Sequence, residues 1–321
     1  MLTRRQLLQH SAKLSMLLFG SKVFAADVFD GFIKLEEKRI KVIFIQGQVC
    51  AGCSISMMYG NETSFMQFIR HIISLQVHPM LSFESSDDYL EMLENTVKND
   101  DYILVFEGSI PMGIPNACNI GGLPLKDFIK PAVENASIIV ASGTCSSHGG
   151  IPAAVNNETG AVSLIEYLDM QNIKKPYLRI PGCPVHPDWL MGSISYIAAT
   201  GKIPKMTELK TPETYYKDTI HNHCSRFQHF SQDLYLSDYA QDKTNCLLKK
   251  GCRGPVTYSD CPIRNWNGNT NFCIKSNAPC VGCVHPDWPF DSDMYITAEK
   301  VEDISWWEMQ EKVKNRDNDK K

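Results

Sequence analysis

The chain has 321 residues, 32 basic against 36 acidic side chains, a formal net charge of −4 and twelve cysteines. Its length supports two domains with cores of their own, and the acid excess leaves no basic field for nucleic acid. Seven of the cysteines fall between residues 221 and 283, a density that packing alone does not ask for.

The first 26 residues read as an export signal. Thr3-Arg4-Arg5-Gln6-Leu7-Leu8 leads into an apolar run from Leu14 to Phe19 and then a small-residue site, Val23-Phe24-Ala25-Ala26, the pattern of a twin-arginine leader. The run is too short to span a bilayer. Cleavage removes Arg4, Arg5, Lys13 and Lys22 and no acid, so the mature chain is more acidic still. This export class carries proteins already folded around their cofactors, so the thiols are expected to be occupied before they meet an oxidising compartment, and disulfides are not the expected fate of an even cysteine count.

Residues 27–200 read as an α/β domain. Buried strands are expected at Arg39–Ile45, Tyr102–Phe106, Ser137–Ala141 and Tyr177–Ile180. Phe65, Phe68, Ile69, Ile72 and Ile73 recur with helical spacing, and a second helix is expected from about Pro187 to Ala199. Apolar strands separated by helices predict a parallel sheet covered on both faces, flavodoxin-like in outline. Cys50 and Cys53 follow the first strand, Cys145 the third and Cys183 the fourth. The C-terminal ends of parallel strands share one edge, so these four cysteines, distant in sequence, are expected to converge on one four-thiolate site. Cys118, in a long loop with no partner left over, is expected to be a packing thiol.

A linker rich in Lys, Pro and Thr opens the second domain, residues 201–321, which has little helical or strand periodicity. Its eight candidate ligands divide by spacing into His221, Cys224, Cys246 and Cys252, and Cys261, Cys273, Cys280 and Cys283. Thiolates at such spacings suit zinc or iron–sulfur clusters. A short echo, His186-Pro187-Asp188-Trp189 and His285-Pro286-Asp287-Trp288, is expected to turn the chain away from a metal site and start a helix, with both histidines packing or orienting and not ligating. Beyond Trp307 the tail is charged, so no membrane span is expected in the mature chain.

Taken together, the Cys50-Ala51-Gly52-Cys53 motif, Glu107 to Pro111, Gly143 to Cys145, Pro181 to Pro184, His221-x2-Cys224, Gly251 to Pro255 and Pro279 to Cys283 occur in the order found in the small subunit of [NiFe] hydrogenases, which the chain resembles over about residues 39 to 292. The resemblance implies that Cys50, Cys53, Cys145 and Cys183 bind a proximal [4Fe–4S] cluster, and that His221, Cys224, Cys246 and Cys252 bind a distal [4Fe–4S] cluster. It implies that Cys261, Cys280 and Cys283 bind a medial cluster. Much of the family has proline where this chain has Cys273, and a three-iron medial cluster; here Cys273 supplies a fourth thiolate, so [4Fe–4S] is expected, with [3Fe–4S] beside a bystander Cys273 as the alternative. No catalytic residue is expected in this chain. The family's Ni–Fe centre sits in a large subunit, and the heterodimer interconverts H2 with protons and electrons.

Export implies a periplasmic enzyme that passes electrons to a cytochrome or quinone-linked membrane acceptor. Oxygen-tolerant relatives carry two additional cysteines at positions matching Gly52 and Gly150, so an ordinary proximal cubane and an oxygen-sensitive enzyme are expected. Two other classes compete: an iron–sulfur carrier of a different redox complex, and an exported binding protein stapled by zinc or disulfides.

Overall fold

The computed structural model describes residues 39–60, 63–84 and 86–290. The expected leader at residues 1–26 and the charged tail beyond Trp307 lie outside the described residues. The chain divides into two compact units between Thr214 and Tyr215.

The first unit is built on five strands, β1 (Ile40–Gln46), β2 (Ile73–Val77), β3 (Tyr102–Glu107), β4 (Ile138–Ser142) and β5 (Tyr177–Ile180). Their order is β2-β1-β3-β4-β5 and every neighbouring pair is parallel. That is the flavodoxin-like order, with its switch point between β1 and β3. All six residues of β3 are buried, the apolar run that a strand covered on both faces requires. Among the described residues, helices α1 (Gly52–Met57), α2 (Phe65–His71), α3 (Ser86–Asn99), α4 (Leu125–Asn135), α5 (Gly143–His148), α6 (Leu164–Met170) and α7 (Pro187–Thr200) accompany the sheet. Ile43, Leu104, Phe106 and Ile139 of the sheet share one core with Ile129 and Val133 of α4 and Leu168 of α6.

Four strands match the expected ones to within a residue or two. β2 does not: Ile72 and Ile73 fit a helical period, but α2 ends at His71 and Ile73 pairs with Ile40 at the edge of the sheet. Over so few residues a helical period fits by coincidence, whereas Ile73-Ser74-Leu75-Gln76-Val77 alternates and begins and ends on β-branched residues, which suit a strand.

Among its described residues the second unit has little regular structure: short helices, including α8 (Phe227–Ser231) and α9 (Cys261–Arg264), a few 3-10 turns and isolated bridges. Side chains take over the work of ladders. The Arg226 guanidinium, buried, donates to the carbonyls of Asn245 (2.7 Å), Lys243 (2.9 Å) and Ile274 (3.0 Å) and to Asn277 Oδ1 (2.9 Å), tying three loops together. Asn265, Asn267, Asn269 and Asn277 adopt positive φ, a conformation asparagine tolerates better than most residues.

The His-Pro-Asp-Trp echo has a local structural meaning. His186 Nδ1 accepts from the Asp188 N–H at 3.1 Å, and His285 Nδ1 accepts from the Asp287 N–H at 3.1 Å. Each imidazole caps the turn that follows it. The first copy starts α7, with Pro187 in its first turn. The second starts no helix within the described residues, because Pro289 follows Trp288 directly and lacks the N–H that a continuing helix would use.

Candidate functional site

The first group of cysteines is positioned by the C-terminal edge of the sheet. Cys50 lies in the loop after β1 and Cys53 in the first turn of α1, with Ala51 between them held at φ 60°. Cys145 sits in α5, which begins directly after β4, and Cys183 lies in the loop between β5 and α7. The fold brings all four together: Cys53 is within electrostatic range of Cys145 and Cys183, and Cys145 of Cys183 and Cys50. Burial pushes the Cys53 thiol well above its ordinary range and Cys145 to about 12, helped by the neighbouring sulfurs. Thiols held so high become thiolates only when an electropositive group binds them.

Glycines clear the space around these sulfurs. A Cβ on Gly143 (φ +81°) would stand 2.5 Å from Cys53 Sγ, and one on Gly150 (φ +58°) would stand 2.9 Å from Cys145 Sγ. Glu107, at the end of β3, is a site residue that periodicity did not single out. It is 1% exposed and its carboxylate accepts from the N–H groups of Cys53 (3.0 Å) and Ser54 (3.3 Å), from Gln46 Nε2 (3.0 Å) and from the Ser54 hydroxyl. It thereby fixes the turn that presents Cys53. Cys50 itself is exposed, as are Ile55, Met58 and Tyr59 close by in sequence.

In the second unit, His221, Cys224, Cys246 and Cys252 line one cavity, walled by Pro255 and Ile274. Burial lifts Cys252 to about 12 and raises Cys224 and Cys246; the Arg226 cation works against the shift in the latter two. His221 is 5% exposed, with Phe227 and Phe230 packed against its ring at 5.1 and 4.5 Å, and burial lowers its pKa. The imidazole is therefore neutral at physiological pH, the form that ligates metals.

Cys261, Cys273, Cys280 and Cys283 also gather: Cys261 is within electrostatic range of Cys273, and Cys280 of Cys273 and Cys283. Burial takes Cys261 to about 12 and Cys280 well above its usual range. Cys273 is exposed as a residue, yet desolvation raises its thiol too. Ser259 Oγ donates to Cys261 Sγ at 3.2 Å, and the Trp266 side chain hydrogen-bonds the same thiol. The two groups of this unit are joined through the backbone: the Cys280 N–H donates to Cys252 Sγ (3.4 Å) and the Arg253 N–H to the Cys280 carbonyl (2.7 Å).

All twelve cysteines are free, so no disulfide staples the chain. Among the described residues no three His, Cys, Asp or Glu side chains are spaced to close on a single metal ion. The sulfurs neighbour one another without meeting at a point. Sets of three or four thiolates around a space fit a multi-iron cluster, in which each ligand takes a different iron. Cys118, outside every group, is half-buried against the hydrophobic core.

Comparison with known proteins agrees over both units. A family model for the C-terminal part of NiFe/NiFeSe hydrogenase small subunits matches residues 216–296, and one for the 20 Kd subunit of NADH ubiquinone oxidoreductase matches residues 50–197. The periplasmic [NiFeSe] hydrogenase small subunit of Desulfomicrobium baculatum is 32% identical over 283 residues, covering 82% of this chain and 88% of that one. The hydrogenase-2 small chain of Escherichia coli (strain K12) is 32% identical over 297 residues, covering 88% and 76%. A crystal structure of the reduced, active Ni-Fe-Se hydrogenase from Desulfomicrobium baculatum superposes with a TM-score of 0.77 at 30% identity, covering 81% of this chain and all of its counterpart. With fold and relatives in agreement along most of its length, the chain belongs to the small subunits of the [NiFe] and [NiFeSe] hydrogenases.

Proposed function

We propose that Cys50, Cys53, Cys145 and Cys183 hold a proximal [4Fe–4S] cluster, His221, Cys224, Cys246 and Cys252 a distal [4Fe–4S] cluster, and Cys261, Cys273, Cys280 and Cys283 a medial [4Fe–4S] cluster. The chain is the electron-transfer subunit of a heterodimeric hydrogenase whose Ni–Fe centre lies in the large subunit. When bound, each cluster supplies a one-electron carrier whose potential follows ligand type, hydrogen bonding and burial. The observation that carries this reading is the gathering of Cys50, Cys53, Cys145 and Cys183 from three separate strand ends onto one edge.

The protein's own groups then shape each site. Glu107 holds the Cys53 turn in place; Arg226 keeps a positive charge beside Cys224; and neutral His221 replaces one anionic thiolate, making the distal centre easier to reduce. Exposed Cys50, with Ile55, Met58 and Tyr59, marks the face proposed to meet the large subunit. Hydrogen activation is assigned to that partner, since Cys118 is the one cysteine left outside the three groups.

A periplasmic location reached by the twin-arginine route, with a cytochrome or quinone-linked acceptor, is supported by the leader pattern and by a relative named as periplasmic. Among the described residues no helix is long and apolar enough to cross a membrane.

Anaerobic co-purification with the large subunit tests the whole reading. The expected result is about twelve irons per small subunit, with nickel only when the larger subunit is present. Zinc without iron overturns it. EPR of the oxidised enzyme tests the medial assignment separately, because an intense near-isotropic [3Fe–4S] signal from intact protein refutes the four-thiolate site.

A further inference from the structure

We infer that Ser259, Trp266 and Arg253 set the potential of the medial centre, two side-chain donors on one ligand sulfur and a cation near another offsetting the charge of a fourth thiolate. The inference rests on the reading of Cys261, Cys273, Cys280 and Cys283 as that centre's ligands.

A cluster's potential reflects how well its surroundings tolerate one more negative charge. A fourth thiolate makes the medial centre more negative and pulls its potential down. Hydrogen bonds to a ligand sulfur act in the opposite sense, because they stabilise the electron-rich reduced state more than the oxidised one. Their effect is largest where water cannot screen them. Cys261 is 8% exposed and Ser259 1%, and Ser259 Oγ lies 3.2 Å from the sulfur. The Trp266 side chain bonds that same sulfur.

The local backbone explains why both donors reach it. Ser259 stands two residues before Cys261, at the entrance to α9. Asn265 then caps α9 at φ +56°, which ends the helix one residue before Trp266. A bridge to Asn271, with the Trp266 N–H donating to the Asn271 carbonyl at 2.6 Å, pins the turn that follows.

Arg253 supplies the charge. It is 8% exposed, its N–H holds the Cys280 carbonyl at 2.7 Å, and its guanidinium lies 3.5 Å from the centroid of the Phe290 ring. It is within electrostatic range of Cys280. Two groups oppose it: the Cys252 sulfur, within electrostatic range of Cys280, and Asp260, next to Cys261. Arg264 neutralises that carboxylate, with Nε at 2.9 Å and Nη2 at 2.8 Å from Asp260 Oδ2.

The test is a redox titration of the medial centre, followed by EPR in the anaerobically purified heterodimer, for the Ser259→Ala, Trp266→Phe and Arg253→Met variants. Each is expected to move the medial midpoint to a more negative potential while leaving the proximal midpoint in place, and Arg253→Lys is expected to restore most of the shift. A tenfold fall in the reduced-to-oxidised ratio at fixed potential, the size expected for the Ser259→Ala/Trp266→Phe pair, is about 59 mV. Ser259→Ala removes a single oxygen atom, so it reports on the medial centre even where the tryptophan variant assembles poorly. Medial midpoints unchanged in all the variants overturn the inference alone. A wild-type enzyme with no medial iron signal overturns the ligand reading and the inference together.

Discussion

Replacing Glu107 by alanine tests whether a buried carboxylate is what holds the first cysteine turn together. In the native chain this side chain is 1% exposed and accepts from two backbone N–H groups, the Ser54 hydroxyl and the Gln46 amide. Alanine strips the acceptor from the N–H groups of Cys53 and Ser54 and from the hydroxyl while they stay buried. Each buried donor left without an acceptor costs about 1–3 kcal/mol, so the sum over the three is roughly 3–9 kcal/mol. At about 2 °C per kcal/mol for a chain of this size, thermal unfolding falls by roughly 6–18 °C. Glu107→Gln keeps one carbonyl oxygen for the two N–H groups, and the Ser54 hydroxyl can turn to accept from the new amide, so its cost is about 1 kcal/mol. The assay is loss of visible absorbance on heating the anaerobic heterodimer, with iron content measured beforehand. A Glu107→Ala enzyme that keeps full iron and melts within about 2 °C of wild type refutes the role given to the carboxylate.

Two further outcomes follow from buried groups of the first unit. His78 is 1% exposed, packs on Phe44 with ring centroids 4.6 Å apart, accepts from the Met80 N–H, and is lowered by burial to about 4. Above pH 6.5 it is neutral in both folded and unfolded chains; between pH 6.5 and about 4 only the unfolded chain takes up the proton, so stability falls as pH drops through that window, by about 1.4 kcal/mol per pH unit and roughly 3 kcal/mol in all. His78→Gln is expected to remove this slope, which unfolding midpoints measured between pH 7 and 4 read directly; an unchanged slope rules the residue out as its source. Gly150→Ala puts a Cβ 2.8 Å from Cys145 Cα and N at φ +58°, a conformation that costs a side chain about 1–2 kcal/mol before the clash is counted. The expected result is loss of the proximal cluster alone, iron falling from about twelve to about eight per chain with the other EPR signals kept; full iron content in this variant contradicts the tight packing around Cys145.

What the sequence determined by itself was local or ordered. The apolar runs that became β1, β3, β4 and β5 are legible because a strand covered on both faces has little room for polar side chains. The gathering of the second unit's His and Cys side chains into two sets is legible because His221-x2-Cys224 and Cys280-x2-Cys283 are short spacings, and the series of motifs from Cys50 to Cys283 is informative as an order. Short-range signals also misled: Ile73 matched a helical period yet belongs to β2, and the second His-Pro-Asp-Trp copy starts no helix within the described residues because Pro289 follows it. Only the tertiary structure decided which side chains serve the sulfurs. Glu107 reaches the Cys53 turn because β1 and β3 lie side by side in the sheet, although 54 residues separate the two in sequence. Arg226 binds a carbonyl 48 residues away because the loops it ties have no ladder of their own. Periodicity and spacing report on a residue's immediate neighbours along the chain, whereas a potential or a pKa is set by whatever the fold packs beside the group, and that is fixed by strand order and turn geometry.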